Sequence, residues 1–414
     1  MSRILDVVAP ARLGTNFRWL LGSSWVSQVG DGIALAAGPL LIASQTHDPF
    51  LVAMGALLQR LPWLLFGLYA GVLADRLDRR LVVIVVDLMR VAVLAVLVTA
   101  ISTDHVDIGL VLATLFLFGT AEVFADTTSS TLLPMVVAKR DLGVANARLM
   151  AGFVTINQML GPPVGAALFA AGMAWPFVTQ AVCVLLGAGL IARMRLPLVP
   201  PPEVKKRVSQ DILEGLRWTW RHPAVRTLTL TIVTFNITFG AAWSVLVLYS
   251  LKTLDMGEVG FGLLTTAGAV GGLVAIGTYD WLEKRFSLGN IMRVGLIIET
   301  FTHLALALNR SGIGAMVILF VFGAHAFVWG TTSRTVRMRA VPTEFQGRVG
   351  SVYMVGVFGS MVVGTGLGGV IAGQWGIVAP FWFAFVGSGL LVLLIWNQMP
   401  HIAHADEAQV AAEQ

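Results

Sequence analysis

Twelve apolar runs, each long enough to cross a hydrocarbon core at about 1.5 Å of helix per residue, take up most of the chain. They fall near 17–45, 51–73, 81–101, 107–127, 148–172, 176–194, 226–250, 259–280, 291–309, 313–333, 348–372 and 378–398. Lipid is therefore the main solvent, and in lipid every backbone polar group needs an internal partner, which leaves helices or closed barrels. Runs of this length and apolarity select helices. With 56% hydrophobic and only 12% charged residues, the chain has too few charges to coat a water-facing surface of this size. Its 44 glycines fit membrane helices, where small residues let backbones approach. The expected fold is all-α and integral to the membrane, with twelve transmembrane helices.

The formal charge of +5 resides in short basic clusters between the apolar runs. Loop topology explains such clusters better than a nucleic-acid footprint does, so no nucleic-acid partner is expected. Arg76, Arg79 and Arg80, then Lys139 and Arg140, then Lys284 and Arg285, then Arg334, Arg337 and Arg339 all fall on one side, whereas the opposite loops offer little beyond Lys252 and Arg310. The positive-inside rule makes the basic side cytoplasmic, placing both termini inside a bacterial cytoplasmic membrane. The first apolar stretch, 16–43, is long enough to span and lacks a small-residue cleavage site, so it is expected to stay as a signal anchor. The single cysteine, Cys183, lies in an apolar run; neither a disulfide framework nor a cysteine metal site is expected, and no cofactor.

The one extended polar stretch, 193–226, contains Pro197, Pro200, Pro201 and Pro202 and separates two halves. It divides the chain into an N-terminal six-helix bundle (1–194), a cytoplasmic linker (195–222), a C-terminal six-helix bundle (223–400) and a polar tail (401–414). Within the linker, 211–221 reads as an amphipathic helix at headgroup level, anchored by Trp and Arg. The halves repeat one another. Leu115-Phe-Leu-Phe-Gly119 and Thr127-Thr-Ser129 reappear as Leu319-Phe-Val-Phe-Gly323 and Thr331-Thr-Ser333, with Gly119 to Gly323 and Thr127 to Thr331 each 204 residues apart. Gly161 and Gly165 correspond to Gly364 and Gly368, one residue out of step. Duplicated halves of this kind flank a central site in proteins that move solutes.

The loop between the second and third helices reads Gly71-Val-Leu-Ala-Asp75-Arg76-Leu-Asp78-Arg79-Arg80. A positive-inside cluster alone needs no glycine or aspartate at fixed spacing. This loop resembles the G-x-x-x-D-[RK]-x-G-[RK]-[RK] motif of the major facilitator superfamily, with Asp78 where the motif has glycine. The resemblance implies two pseudo-symmetric six-helix bundles and a latch that includes Arg76: Gly71 admits a neighbouring helix, Asp75 bonds the exposed N–H groups at the start of the eleventh helix near 347–351, and Arg79 or Arg80 pairs with Asp126. On the fifth helix, Gly161-Pro162-Pro163-Val164-Gly165 resembles a stretch of the superfamily's drug/proton antiporters, although close helix packing alone also favours such glycines. The fourth helix has no basic residue between Phe116 and Asp126, and the first carries Gly30-Asp31. Both features are similar to the branch of macrolide and siderophore exporters. That resemblance implies a small-molecule substrate, protons as coupling ion, lipids as surroundings and a working monomer.

Ionisable residues inside a membrane are costly and are candidates for function. Ser24, Ser27, Gln28 and Asp31 form a polar stripe on the first helix, expected to line a cavity. Asp31 is expected to pair with Arg60 of the second helix and is the first candidate for carrying a proton; Glu122 is the second. Asp87 and Arg90 stand one turn apart and are expected to satisfy each other. In the second half, Glu299 and His303 share a face of the ninth helix, and His325 and Trp329 share one of the tenth. Asn157, Gln158, Asn236, Trp243, His325, Trp329 and Tyr353 are the remaining cavity candidates.

Rival functions leave weaker marks. No G-x-x-x-x-G-K-[ST] loop occurs, so this chain is not expected to hydrolyse ATP, and no H-E-x-x-H helix or paired nucleophile and base marks an intramembrane hydrolase. The expectation is an exporter of a hydrophobic or amphipathic molecule driven by proton exchange. An uptake permease, a lipid translocase and a non-transporting sensor are the alternatives.

Overall fold

A computed structural model describes residues 10–195, 208–342 and 345–398. Its long elements are α1 (Gly14–Gln45), α2 (Pro49–Arg76), α3 (Arg79–Ser102), α4 (Ile108–Ser130), α5 (Lys139–Ala171), α6 (Trp175–Ile191), α7 (Val208–Arg221), α8 (Pro223–Trp243), α9 (Gly257–Arg285), α10 (Leu288–Leu308), α11 (Gly312–Ala340), α12 (Gln346–Trp375) and α13 (Ala379–Ile395). All except α7 coincide with the apolar runs. Ten are long and apolar enough to span, and the two shorter ones, Trp175–Ile191 and Ala379–Ile395, have 17 residues each, at the lower limit for a crossing. Leu394, Ile313 and Tyr69 stand 76%, 76% and 70% exposed, a distribution suited to lipid and hostile to water.

Short polar residues start several spans. Asp78 caps α3 by accepting the Leu81 N–H at 3.1 Å, and Asp107 caps α4 through the Leu110 N–H at 2.9 Å. Asp78 has φ −61°, so the turn that the superfamily motif builds with glycine needs no glycine here. Proline stands at the entry of α6, α8 and α13, where its missing N–H costs nothing.

The chain forms two compact units, one of residues 1–47, 58–205 and 257–266, the other of 48–57, 206–256 and 267–414. They are the two halves of the repeat, apart from a reciprocal exchange: the opening segments of α2 and α9 each belong to the other half's unit. A glycine on one side of each contact makes room for these segments. A Cβ on Gly369 of α12 would meet the Ala53 Cβ at 2.6 Å, and one on Gly262 of α9 would meet the Pro162 carbonyl at 2.7 Å. Thr266 adds a hydrogen bond to the Met159 carbonyl at 3.1 Å.

Each unit uses glycine in the same way. In the first, a Cβ on Gly161 would lie 2.5 Å from the Gly32 backbone, and one on Gly165 would strike the Ile33 carbonyl, which locks α5 to α1. In the second, Gly364 faces the Ile237 backbone and Gly368 that of Ala241, which locks α12 to α8. Next to Gly161, Phe153–Leu160 winds as a π-helix, a local under-winding frequent at functional sites.

The linker helix α7 belongs to the second unit and packs on α12. Glu214 pairs with Arg348 at 2.9 Å, a Cβ on Gly215 would meet the Arg348 carbonyl at 2.6 Å, and Trp218 stacks on His222 and Phe345. Trp218 therefore packs against protein, whereas Trp220, 59% exposed, remains available as an interfacial anchor. Gly215→Leu is expected to detach α7, which would appear as faster tryptic cleavage after Arg217 and Arg221 with the membrane-embedded part unaffected.

Candidate functional site

In the first unit the ionisable groups converge on Arg90 of α3, which is 2% exposed. Its Nη2 donates to Asp31 Oδ1 at 2.6 Å and its Nη1 to Asp87 Oδ1 at 3.2 Å, while the guanidinium lies 4.5 Å from the centre of the Phe118 ring. Gln180 of α6, 2% exposed, reaches the same Asp31 oxygen at 3.5 Å. Glu122 and Asp126 of α4 stand within electrostatic reach of Arg90 and Asp31.

Local sequence explains why Asp31 points there. A Cβ on Gly30 would meet Cys183 and Gln180 at 3.0 and 3.2 Å, and one on Gly32 would meet the Asn157 carbonyl at 2.7 Å. Helices α6 and α5 thus close on α1 on either side of Asp31, and its side chain is left facing α3. The arginine set on Asp31 is Arg90, not Arg60 as expected from depth alone. Helix rotation decides the pairing, and the two glycines fix that rotation.

The polar stripe of α1 divides. A Cβ on Gly187 would meet Ser27 Oγ at 2.6 Å, and Ser23 donates to the Gly187 carbonyl at 2.9 Å, so Ser27 packs against α6 and does not line a cavity. Ser24 and Gln28 are half-buried. Asn157 is buried in the π-turn, and its amide oxygen accepts from Gln158 Nε2 at 2.6 Å.

Of the expected latch, the side chains of Asp75 and Arg76 lie outside the described residues. A Cβ on Gly71 would have nothing within 4 Å, so this glycine supports no close helix approach among the described residues. Arg80 donates to the Ala192 carbonyl at the end of α6, and Arg79 lies 3.2 Å from the Met135 sulfur. Asp126 shares the field of Arg90 instead of meeting Arg80. Arg80 is drawn away by the uncapped carbonyls where α6 ends.

The second unit holds an aromatic wall. Phe239 stacks on Trp243 with centroids 4.3 Å apart, and Phe322 of α11 lies 4.6 Å from Trp243. His325 and Trp329 continue this line along α11, while Glu299 of α10 meets His325 behind it at 3.4 Å. Asn236 bonds back to the Ile232 carbonyl at 2.8 Å, and Tyr353 lies under the Arg337 guanidinium at 3.8 Å. Sequence reasoning missed Phe239, Phe322, Phe118 and Gln180. Gln180 alone left a signal, as the only amide in the apolar run of α6.

Twelve apolar helices in two repeated sets, with charge buried at the heart of one, define a multi-pass membrane transporter of the major facilitator fold. The chain belongs to the superfamily's transmembrane secretion effectors (MFS_3), a family that matches residues 6–414. It is a transport protein and not an enzyme. It is 26% identical over 392 residues to the multidrug efflux pump Tap of Mycolicibacterium fortuitum, covering 91% of this chain and 93% of that one. It is 23% identical over 397 residues to the enterobactin exporter EntS of Salmonella typhi, covering 92% of each. Among solved structures, the nucleoside transporter NupG superposes with a TM-score of 0.71 at 12% identity, over 95% of this chain and 99% of that one, a likeness of fold.

Proposed function

We propose that the protein exports a hydrophobic or amphipathic small molecule across the bacterial cytoplasmic membrane in exchange for protons, by alternating access with both termini inside. The carrying observation is the set of four carboxyl groups, Asp31, Asp87, Glu122 and Asp126, gathered about one buried guanidinium. Arg90 balances one negative charge, and in a medium that penalises unpaired charge, protons are the mobile species able to balance others. Asp31 is the proton carrier in this reading. It is the least enclosed of the two carboxylates bonded to Arg90, with a side chain 15% exposed against 6% for Asp87. Tap and EntS, an efflux pump and an exporter by name, support the outward direction, and the aromatic wall of α8 and α11 suits an apolar substrate.

Everted vesicles containing the protein, acidified inside and offered lipophilic dyes, macrolides or siderophores, are expected to accumulate at least one of them. A proton uncoupler should abolish accumulation. So should Asp31→Asn at unchanged protein level. Accumulation indifferent to both treatments would overturn proton exchange, and accumulation seen only in right-side-out vesicles would establish uptake.

A further inference from the structure

The arginine-centred cluster leaves unused a second set of buried ionisable groups, in the other unit. Glu299, His303 and His325 are 8%, 0% and 5% exposed. His325 Nε2 lies 3.4 Å from Glu299 Oε2, and its ring fits against α10 because Gly295, one turn before Glu299, has no side chain: a Cβ there would meet His325 Cε1 at 3.0 Å. His303 stands one turn beyond Glu299 on the same face of α10, edge-on to Trp243 at 6.2 Å, and neither of its ring nitrogens has a hydrogen-bond partner among the described residues. A wholly buried imidazole with both nitrogens unsatisfied is a costly arrangement that calls for a reason.

We propose that Glu299, His325 and His303 form a second proton-binding site, in which one proton taken from water is shared between the Glu299 carboxylate and an imidazole. Charge decides this. With both imidazoles neutral, Glu299 is an unpaired anion among apolar helices; one added proton makes the set neutral overall, either as a protonated carboxyl or as an ion pair with an imidazolium. Among the described residues the neighbouring helices supply no competing charge at this level: α9, which meets α11 where Gly268 faces Gly323 and Gly271 faces Phe320, carries none between Glu258 and Asp280. Phe239 and Trp243 face the set from α8, Phe322 and Trp329 accompany His325 on α11, and α13, which touches α10 where Gly389 meets Thr300, contains no ionisable residue. Glu299 thus has two possible partners, His325 across the helix pair and His303 along its own helix. A shift of α11 against α10 would exchange one for the other.

The site itself does not depend on the proposed exchange and is measured without substrate. Its consequence for coupling, a second proton in the cycle, does rest on that reading. An imidazolium quenches a neighbouring indole, and Trp243 and Trp329 are the reporters, with ring centres 6.2 and 6.4 Å from His303 and His325. As the full-length protein in detergent is taken from about pH 9 to about pH 5, tryptophan fluorescence is expected to fall in a single transition. Trp243→Phe and Trp329→Phe, which leave the titrating groups in place, should reduce its amplitude. Glu299→Gln should move the midpoint at least tenfold in proton concentration to the acidic side, and His303→Gln with His325→Gln together should remove the transition. Asp31→Asn should retain it. No transition in the unmodified protein, or one that both tryptophan variants leave unchanged, would overturn the site. A transition that persists in protein whose vesicles show no proton exchange would overturn only the coupling.

Discussion

Arg90→Ala is expected to abolish transport and to destabilise the protein severely, because one guanidinium holds two buried carboxylates at once. Removing one member of a buried ion pair costs ~3–5 kcal/mol, largely through the uncompensated charge left behind. Here both Asp31 and Asp87 would be left, with Glu122 and Asp126 adding repulsion. Arg90→Lys should be better tolerated yet still inactive. A lysine ammonium is a point charge and cannot reproduce the fork that places Nη2 on Asp31 and Nη1 on Asp87. The informative variant is the triple Arg90→Gln, Asp31→Asn, Asp87→Asn, which exchanges every charge for an amide of similar shape. Its thermal stability in detergent should return close to that of the unmodified protein, while accumulation in acid-loaded vesicles stays at background. Recovery of transport in the triple variant would show that Arg90 serves packing alone.

The contrast between what sequence revealed and what it hid has a physical basis. Each span was legible because lipid imposes both a length and an apolar surface on each helix independently, so no tertiary knowledge is needed to read it. The repeat was legible for a similar reason: Gly161 and Gly165 match Gly364 and Gly368, and the structure gives both pairs the same task of admitting a neighbouring backbone. The partner of Asp31 was not legible. Arg60 lies one span away and Arg90 two, both inside apolar runs, and only the rotation of α1, set by Gly30 against α6 and Gly32 against α5, selects between them. The contact between Glu299 and His325 was hidden in the same way. Periodicity pairs Glu299 with His303 and His325 with Trp329 along single helices, whereas the contact crosses from α10 to α11 through the space that Gly295 leaves. Even Ser27, correctly placed on a polar face, turned out to face a helix, since small hydroxyls serve close packing as readily as cavities.

Those glycines also set the second large effect, expected for Gly165→Ala. The added methyl would strike the Ile33 carbonyl oxygen and lie 2.8 and 2.9 Å from the Ile33 C and Cα. All three are backbone atoms of a neighbouring helix, so no side chain can rotate away and α5 must move off α1. Overpacking of a tight interface costs typically ~1–3 kcal/mol, and this site belongs at the upper end because its obstacle is rigid. The shift would also be felt chemically. Helix α5 presses on Gly32 beside Asp31, so a displaced α5 frees the rotation of α1 that aims Asp31 at Arg90. Gly165→Ala should therefore lower both thermal stability and transport, with Gly364→Ala lowering stability similarly in the second unit, where its Cβ would meet the Ile237 backbone. Gly189→Ala on α6, where a Cβ has nothing within 4 Å, provides the control: alanine is the better helix former, and no loss of either property is expected. Equal unfolding temperatures for Gly165→Ala and Gly189→Ala would mean that α5 does not lie on α1 as closely as these contacts require, and the aim of Asp31 would then need another cause.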